Sequence, residues 1–463
     1  MQKTIRMTMA FLFSILMLIN LSGCLENSEP DYVPESAAAL WEKVDQMMNN
    51  LESVELDTTT KVIFFNSGYR FELNGTASVL STKECHYSQH ENTVSSEELS
   101  MEQTTTAIEA YYDGKMYMAV NNGTYDQKLC SEMTHEEYDR VQEGNLTDEI
   151  DIVNCLEGSY SKLEDGTWNL KFSGYTKKTI DKVLDVLLIT DDMLGAPIAD
   201  MEVNLIANAD FYVQKLEIKF VFSAQSGQMT PEFVVTAVYS NYNTATFDAA
   251  VLNSEEYTLV DDVRVIDAVT TGIQEKQNAQ NDEFTLDIKS SYEHLGVTQE
   301  TAEFDHVIYG RKNSAYFYEI VAQMEGAEFL IQYQNGEQIV TAQEQTHTAP
   351  QSESDAKLFI DSLIDSARFN ANAVTDIEKQ EEDVYLLTCG QLDLEEYTQL
   401  MGSNNIVLTA ANQQIIVTFQ SGKLLKVEST LTLEGTEADQ TMKLVSHNIV
   451  SFEELPEEDN TVA

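Results

Sequence analysis

The sequence predicts an α+β protein built as two tandem copies of one domain. Three observations carry that expectation. An amphipathic helical pattern opens each half, alternating strand patterns follow it, and the landmarks of residues 36–253 return in the same order within 254–456.

The chain starts with two basic residues, Lys3 and Arg6. An apolar run from Met7 to Leu21 follows, interrupted by Thr8, Ser14 and Asn20. The run is shorter than the ~20 residues of a spanning helix and has the layout of a secretory signal. It ends in Leu21-Ser22-Gly23-Cys24, which resembles the lipobox of bacterial lipoproteins. The resemblance implies cleavage after residue 23, a diacylglycerol on the Cys24 thiol, and anchoring at the extracytoplasmic face of the cell membrane. Residues 24–35 are polar, contain Pro30 and Pro34, and read as a tether.

Ser36 is a suitable N-cap for a helix whose buried face is Ala37, Leu40, Trp41, Val44, Met47, Met48 and Leu51. Strand-like residues follow from Ser53 to Lys61. A second helix is predicted over 260–280, with Val263, Ile266, Val269 and Ile273 on one side, and Glu283 to Lys289 follow as strand. Leu56-Asp57 and Leu286-Asp287 take matching places. The next landmarks are two tight hairpins, Tyr111 to Tyr117 around Asp113-Gly114 and Ile331 to Ile339 around Asn335-Gly336. Strand-like Gly166 to Leu170 corresponds to Asp383 to Leu387. The amphipathic stretch Lys177 to Leu188 corresponds to Leu392 to Met401.

Each half then shows a period-two strand with one dry face. Leu216, Ile218, Phe220 and Phe222 alternate with Lys215, Glu217 and Lys219. Leu425, Val427, Leu431 and Leu433 alternate with Lys426, Glu428, Thr430 and Thr432. The polar stretch Asn253-Ser254-Glu255-Glu256 marks the junction, so the domains run 36–253 and 254–456. Residues 457–463 form an acidic tail.

The order of these elements, with the aromatic hairpin Tyr112-Asp113-Gly114-Lys115-Met116-Tyr117, resembles the LolA-like lipoprotein superfamily, taken twice. The resemblance implies a strongly curved antiparallel sheet in each half, an incomplete barrel covered on its concave face by helices. It also implies acyl chains or lipidated proteins held between sheet and helices. On that reading Tyr69, Phe71, Leu73, Leu216, Ile218, Phe220 and Phe222 are the candidate ligand-binding residues of the first domain; alternatively the same side chains pack a filled core. With the turn glycines aligned, Ile339 stands where the first hairpin has Tyr117, so the second half departs more from the pattern.

Charge narrows the partners. With 27 Lys and Arg against 78 Asp and Glu the formal net charge is −51. Nucleic acid is excluded as an expected partner because phosphate binding needs basic clusters. An anionic surface repels such a chain, so the lipid must do the holding. With 43% hydrophobic residues there is still enough apolar material for a core. No motif of hydrolases, metalloproteases, nucleotide-binding loops or dinucleotide folds stands out, so no enzymatic activity, cofactor or metal is expected. His86 and His90 sit in a strand-like segment, where four residues span ~13 Å, too far to share one ion. Cys85, Cys130, Cys155 and Cys389 allow three full pairings; unpaired, buried thiols are the expectation. The expected partners are therefore the membrane, through the anchor, and an apolar ligand or an envelope protein.

Overall fold

The computed structural model describes residues 33–66, 69–138, 155–186, 197–223, 231–279, 281–312, 315–324, 326–343, 345–390, 392–401, 406–438 and 440–453. The expected leader, Cys24 and the acidic tail lie outside the described residues. Strand takes up 62% and helix 18%, so the protein is mainly β and not α+β. The chain divides into two compact units, residues 1–128 with 132–257, and 129–131 with 258–463.

In the first unit helix α1 (Ala37–Met48) precedes the strands. Ser36 Oγ accepts a hydrogen bond from the Ala39 amide at 3.0 Å, satisfying one of the amides a helix start leaves open. The strands are β1 (Ser53–Asn66), β2 (Tyr69–Thr82), β3 (His86–Ser96), β4 (Met101–Tyr112), β5 (Lys115–Asn121), β6 (Asp126–Glu132), β7 (Cys155–Lys162), β8 (Trp168–Tyr175), β9 (Ile198–Ala207), β10 (Val213–Phe222) and β11 (Glu232–Ser240). Helix α2 (Lys177–Val186) lies between β8 and β9. The sheet order is β6-β5-β4-β3-β2-β1-β11-β10-β9-β8-β7. The first strand is therefore central: β1 pairs antiparallel with β2 on one side and with β11 on the other. A two-residue strand, β12 (Thr258–Leu259), pairs parallel with Leu129–Cys130.

The second unit repeats the scheme. Helix α3 (Arg264–Gln277) precedes β13 (Asn281–His294), β14 (Val297–Lys312), β15 (Ala315–Met324), β16 (Ala327–Gln334), β17 (Glu337–Ala342) and β18 (Gln345–Pro350). Helix α4 (Glu353–Ile364) then leads to β19 (Val374–Glu381) and β20 (Val384–Cys389). Helix α5 (Leu394–Leu400) leads to β21 (Ile406–Gln420), β22 (Lys423–Glu437) and β23 (Gln440–Glu453). The order β18-β17-β16-β15-β14-β13-β23-β22-β21-β20-β19 matches that of β6 through β7, rank for rank. Both short hairpins turn on left-handed pairs, with φ of 51° and 72° at Asp113-Gly114 and 53° and 84° at Asn335-Gly336. That backbone matches the right-handed twist of the flanking strands.

The expected cover of helices over each sheet is overturned: the sheets are open and the helices few and short. Among the described residues the longest helix, α3, has 14 residues, which makes it about 21 Å long. Eleven strands at about 4.8 Å spacing are roughly 50 Å wide. Amphipathy in a sequence reports that a helix buries a stripe, not how much sheet that stripe spans. One alternation also shifts. Leu424 is buried and Leu425 only half-buried, because the pairing of β21 with β22 slips between Thr418 and Phe419.

Candidate functional site

The site is the buried face of the first unit's sheet. Six of the seven residues expected to bind ligand, Phe71, Leu73, Leu216, Ile218, Phe220 and Phe222, are buried in one apolar cluster. The cluster includes Ala37, Leu40, Val44 and Met48 of α1. Phe64 stacks on Phe71 at 5.2 Å between ring centroids, and Phe220 on Phe233 at 4.5 Å. Tyr69 is different. It has the same parity as Phe71 but stands at the first position of β2 and remains 43% exposed.

Cross-strand partners share a face of a sheet, so the register shows what adjoins these residues. One line runs from β3 to β10 through Val94, Leu73, Val62, Phe233 and Phe220, all apolar, with Gln103 next to Val94 on β4. The next two lines change character at the junction of β1 with β11. One runs Thr105, Asn92, Gly75, Thr60 and then Val235, Ile218, Val203. The other runs Ala107, His90, Ala77, Thr58 and then Ala237, Leu216, Leu205. Strands β9–β11 contribute apolar groups only, while β1, β3 and β4 contribute hydroxyls, an amide and an imidazole. Gly75 contributes no side chain between Thr60 and Asn92.

These polar residues are deeply buried; Thr58, Thr60, His90, Asn92 and Thr105 have 1–4% of their surface exposed. Among the described residues, Thr58 Oγ1, Thr60 Oγ1, His90 Nδ1, Asn92 Nδ2 and Oδ1, and Thr105 Oγ1 have no hydrogen-bond partner. Native proteins leave few such atoms, and a contiguous group of them requires an explanation. Neighbouring Ser88 is paired, its hydroxyl donating to the Glu109 carbonyl oxygen at 3.3 Å. Burial holds both His90 and His86 at about 4, with neighbouring His90 adding to the effect on His86; at neutral pH both rings are uncharged.

Sequence reading found the apolar half of this face and missed the polar half. The segment His86-Tyr87-Ser88-Gln89-His90-Glu91-Asn92-Thr93 is polar on both faces, so it offers no alternation to read. Its signal is the combination of strand-like neighbours with the lack of any dry face. His86 and His90 do lie on one strand, as the surrounding residues suggested. Among the described residues no group of three or more His, Cys, Asp or Glu side chains is placed to hold a metal ion, and no helix is long and apolar enough to cross a membrane.

No family model matches the chain, and no curated protein matches it. Similar solved structures include a candidate outer membrane protein of Bacteroides fragilis NCTC 9343, at 7% identity over 87% of this chain and 98% of that one, with a TM-score of 0.19. A DUF1329 family protein from Desulfovibrio piger ATCC 29098 is 11% identical over 42% of this chain and 94% of its own, with a TM-score of 0.17. Transferrin Binding Protein B from Haemophilus parasuis is 6% identical over 87% of this chain and 76% of its own, at 0.14. Similarity at this level carries no argument about fold or function, and the functional reading rests on the site itself.

Proposed function

We propose that this chain is an exported lipoprotein, held by a lipid on Cys24 at the outer face of the cell membrane, and that its first unit binds an amphiphile along the buried face of its sheet. The observation that carries the reading is the junction on that face of apolar strands β9–β11 with unpartnered hydrogen-bonding atoms on β1, β3 and β4. Apolar surface gains ~25 cal/mol for each Å² covered. A buried hydroxyl or amide without a partner costs ~1–3 kcal/mol until something supplies the bond. A molecule with an apolar part and a polar part does both at once. The lipobox, the leader and the strongly acidic composition support an envelope location with no nucleic-acid partner.

A second reading, a surface interaction protein with filled cores, is favoured by one observation. Six of the seven apolar candidates pack against each other and α1 in a single cluster. Native mass spectrometry of the purified protein separates the two. The amphiphile reading expects co-purified mass of a few hundred to about a thousand daltons on a fraction of molecules. Bare protein from repeated, detergent-free preparations removes it. In cells, Cys24→Ala is expected to release the protein from the membrane fraction; retention there overturns the anchor.

A further inference from the structure

We infer that the polar half of this face selects an amphiphile whose head group is neutral and carries hydroxyls or amides, rather than an anionic one. This rests on the amphiphile reading above and adds the class of head group. The unpartnered atoms comprise three threonine hydroxyls, which both donate and accept, the Nδ2 and Oδ1 of Asn92, and the Nδ1 of His90. Such a mixture of donors and acceptors suits a group that is itself both, as an alcohol or an amide is.

The register also shows what the face lacks. The positions that share a face with Thr58, Thr60, His90 and Asn92 on β1–β4 hold no Lys or Arg. The charged residues of β1 and β2, including Lys61 and Arg70, fall on the opposite face, where Lys61 pairs with Glu232 at 2.9 Å and Arg70 with Glu72 at 2.8 Å. The one ionisable carboxylate on the inward register is Glu109, the partner of Ser88. An anionic phosphate brought here would lose its water, meet no cation, and approach that acid. The two imidazoles on this face do not supply the missing charge, because burial keeps them neutral at pH 7. Threonine and asparagine side chains bind a neutral hydroxyl without any such cost.

The test offers the purified protein two sets of phosphatidylcholine vesicles. One set carries a diacylglycerol, the other a phosphatidylglycerol with the same acyl chains. Protein is re-isolated and the lipid it carries is quantified by mass spectrometry. At least tenfold more diacylglycerol than phosphatidylglycerol is expected. Asn92→Leu and Thr60→Val, chosen to keep shape while removing the polar atoms, are expected to lower diacylglycerol uptake about tenfold and to abolish the preference with no loss of thermal stability. Equal or greater uptake of phosphatidylglycerol overturns the inference and leaves the amphiphile reading standing. Uptake of neither lipid overturns both. Undiminished diacylglycerol uptake by folded Asn92→Leu overturns the assignment to this polar group.

Discussion

The two units share a strand order and treat polar atoms in opposite ways. In the first, β1, β3 and β4 place Thr58, Thr60, His90, Asn92 and Thr105 on the buried face without partners. The strands of the same rank in the second are β13, β15 and β16. They bury Phe284, Leu286, Tyr318, Ile320 and Tyr333. Where the second unit does bury polar groups, the chain supplies most of their bonds. Gln413 Nε2 donates to the Ala367 carbonyl at 2.8 Å and to Ser429 Oγ at 2.7 Å, and Asn448 Nδ2 donates to the Ser366 carbonyl at 2.7 Å. Among the described residues its unpartnered atoms, on His294, Asp305, Ser366 and Gln413, are spread over β13, β14, β21 and the turn after α4 rather than adjoining one another across strands. One topology thus accommodates a self-satisfied interior and one with hydrogen-bonding capacity left over. Strand order alone does not decide what a sheet of this kind does.

The largest effect that tests this division comes from the apolar half of the first unit. Phe220 is 2% exposed and stacks on Phe233. Removing such a ring costs ~3–5 kcal/mol, and an unpaired buried carboxylate adds more, together enough to exceed the stability of a typical domain. Phe220→Asp is therefore expected to unfold the first unit. Both tryptophans of the chain, Trp41 and Trp168, belong to that unit, so their fluorescence reports it alone. A cooperative far-UV transition from the second unit should persist. Lys219→Asp, on the exposed side of the same strand, should change stability by no more than ~0.5 kcal/mol. Equal damage from both substitutions would show that the strand does not alternate as described.

Acid should weaken one unit and strengthen the other. His86 and His90 are held at about 4 when folded, burial being the main cause, against an ordinary value of 6.5. Between those values the unfolded chain binds protons that the folded one does not, so the first unit loses stability as pH falls from 6.5 towards 4. Asp305 shows the reverse. Burial first, then nearby Glu303, raises its carboxyl to about 6 from an ordinary 3.8. Here the folded state binds the extra proton, so the second unit loses stability as pH rises from about 4 through 6 and regains it on acidification. Each group contributes on the order of 2–3 kcal/mol at most. Urea unfolding at pH 4.5 and 7.0 checks the pair: the tryptophan midpoint should drop in acid, and the tryptophan-silent transition should rise. Asp305→Asn should reduce the second trend and leave the first. Parallel trends in both units would contradict the assignment.

Features that depend on near neighbours in sequence were legible. Ser36 caps α1, Leu216 to Phe222 alternate in β10, and both Asp-Gly and Asn-Gly turns form where residue chemistry demands left-handed backbone. Features that depend on distant partners were not. Nothing local to β1 announces that β11 will pair with it, although Lys61 and Glu232 are 171 positions apart and in contact. The width of the sheets, and so the failure of short helices to cover them, follows from such pairings. The polar half of the site was illegible for a different reason. Pattern reading equates a buried face with an apolar one, and β3 breaks that equation with His86, Ser88, His90 and Asn92. Tyr69 shows the converse limit, since correct parity at a strand end does not guarantee burial.

The smallest predicted effects give the sharpest contrast, because they differ in sign. Gln413→Leu removes a donor that serves the Ala367 and Arg368 carbonyls and Ser429. It leaves buried acceptors without their bond and should destabilise the second unit by ~2 kcal/mol. Thr60→Val removes a buried hydroxyl that has no bond to lose. Valine keeps the β-branched shape that suits a strand, so the ligand-free first unit should gain ~1 kcal/mol. The gain should shrink or reverse when a ligand is bound, since the wild-type hydroxyl then has a partner. Denaturant midpoints, read by tryptophan fluorescence for Thr60→Val and by hydrogen exchange in β21–β23 for Gln413→Leu, measure both. A loss of stability in ligand-free Thr60→Val would mean that the hydroxyl is already satisfied within the fold. The two interiors would then be of one kind, and the amphiphile reading would lose the observation that carries it.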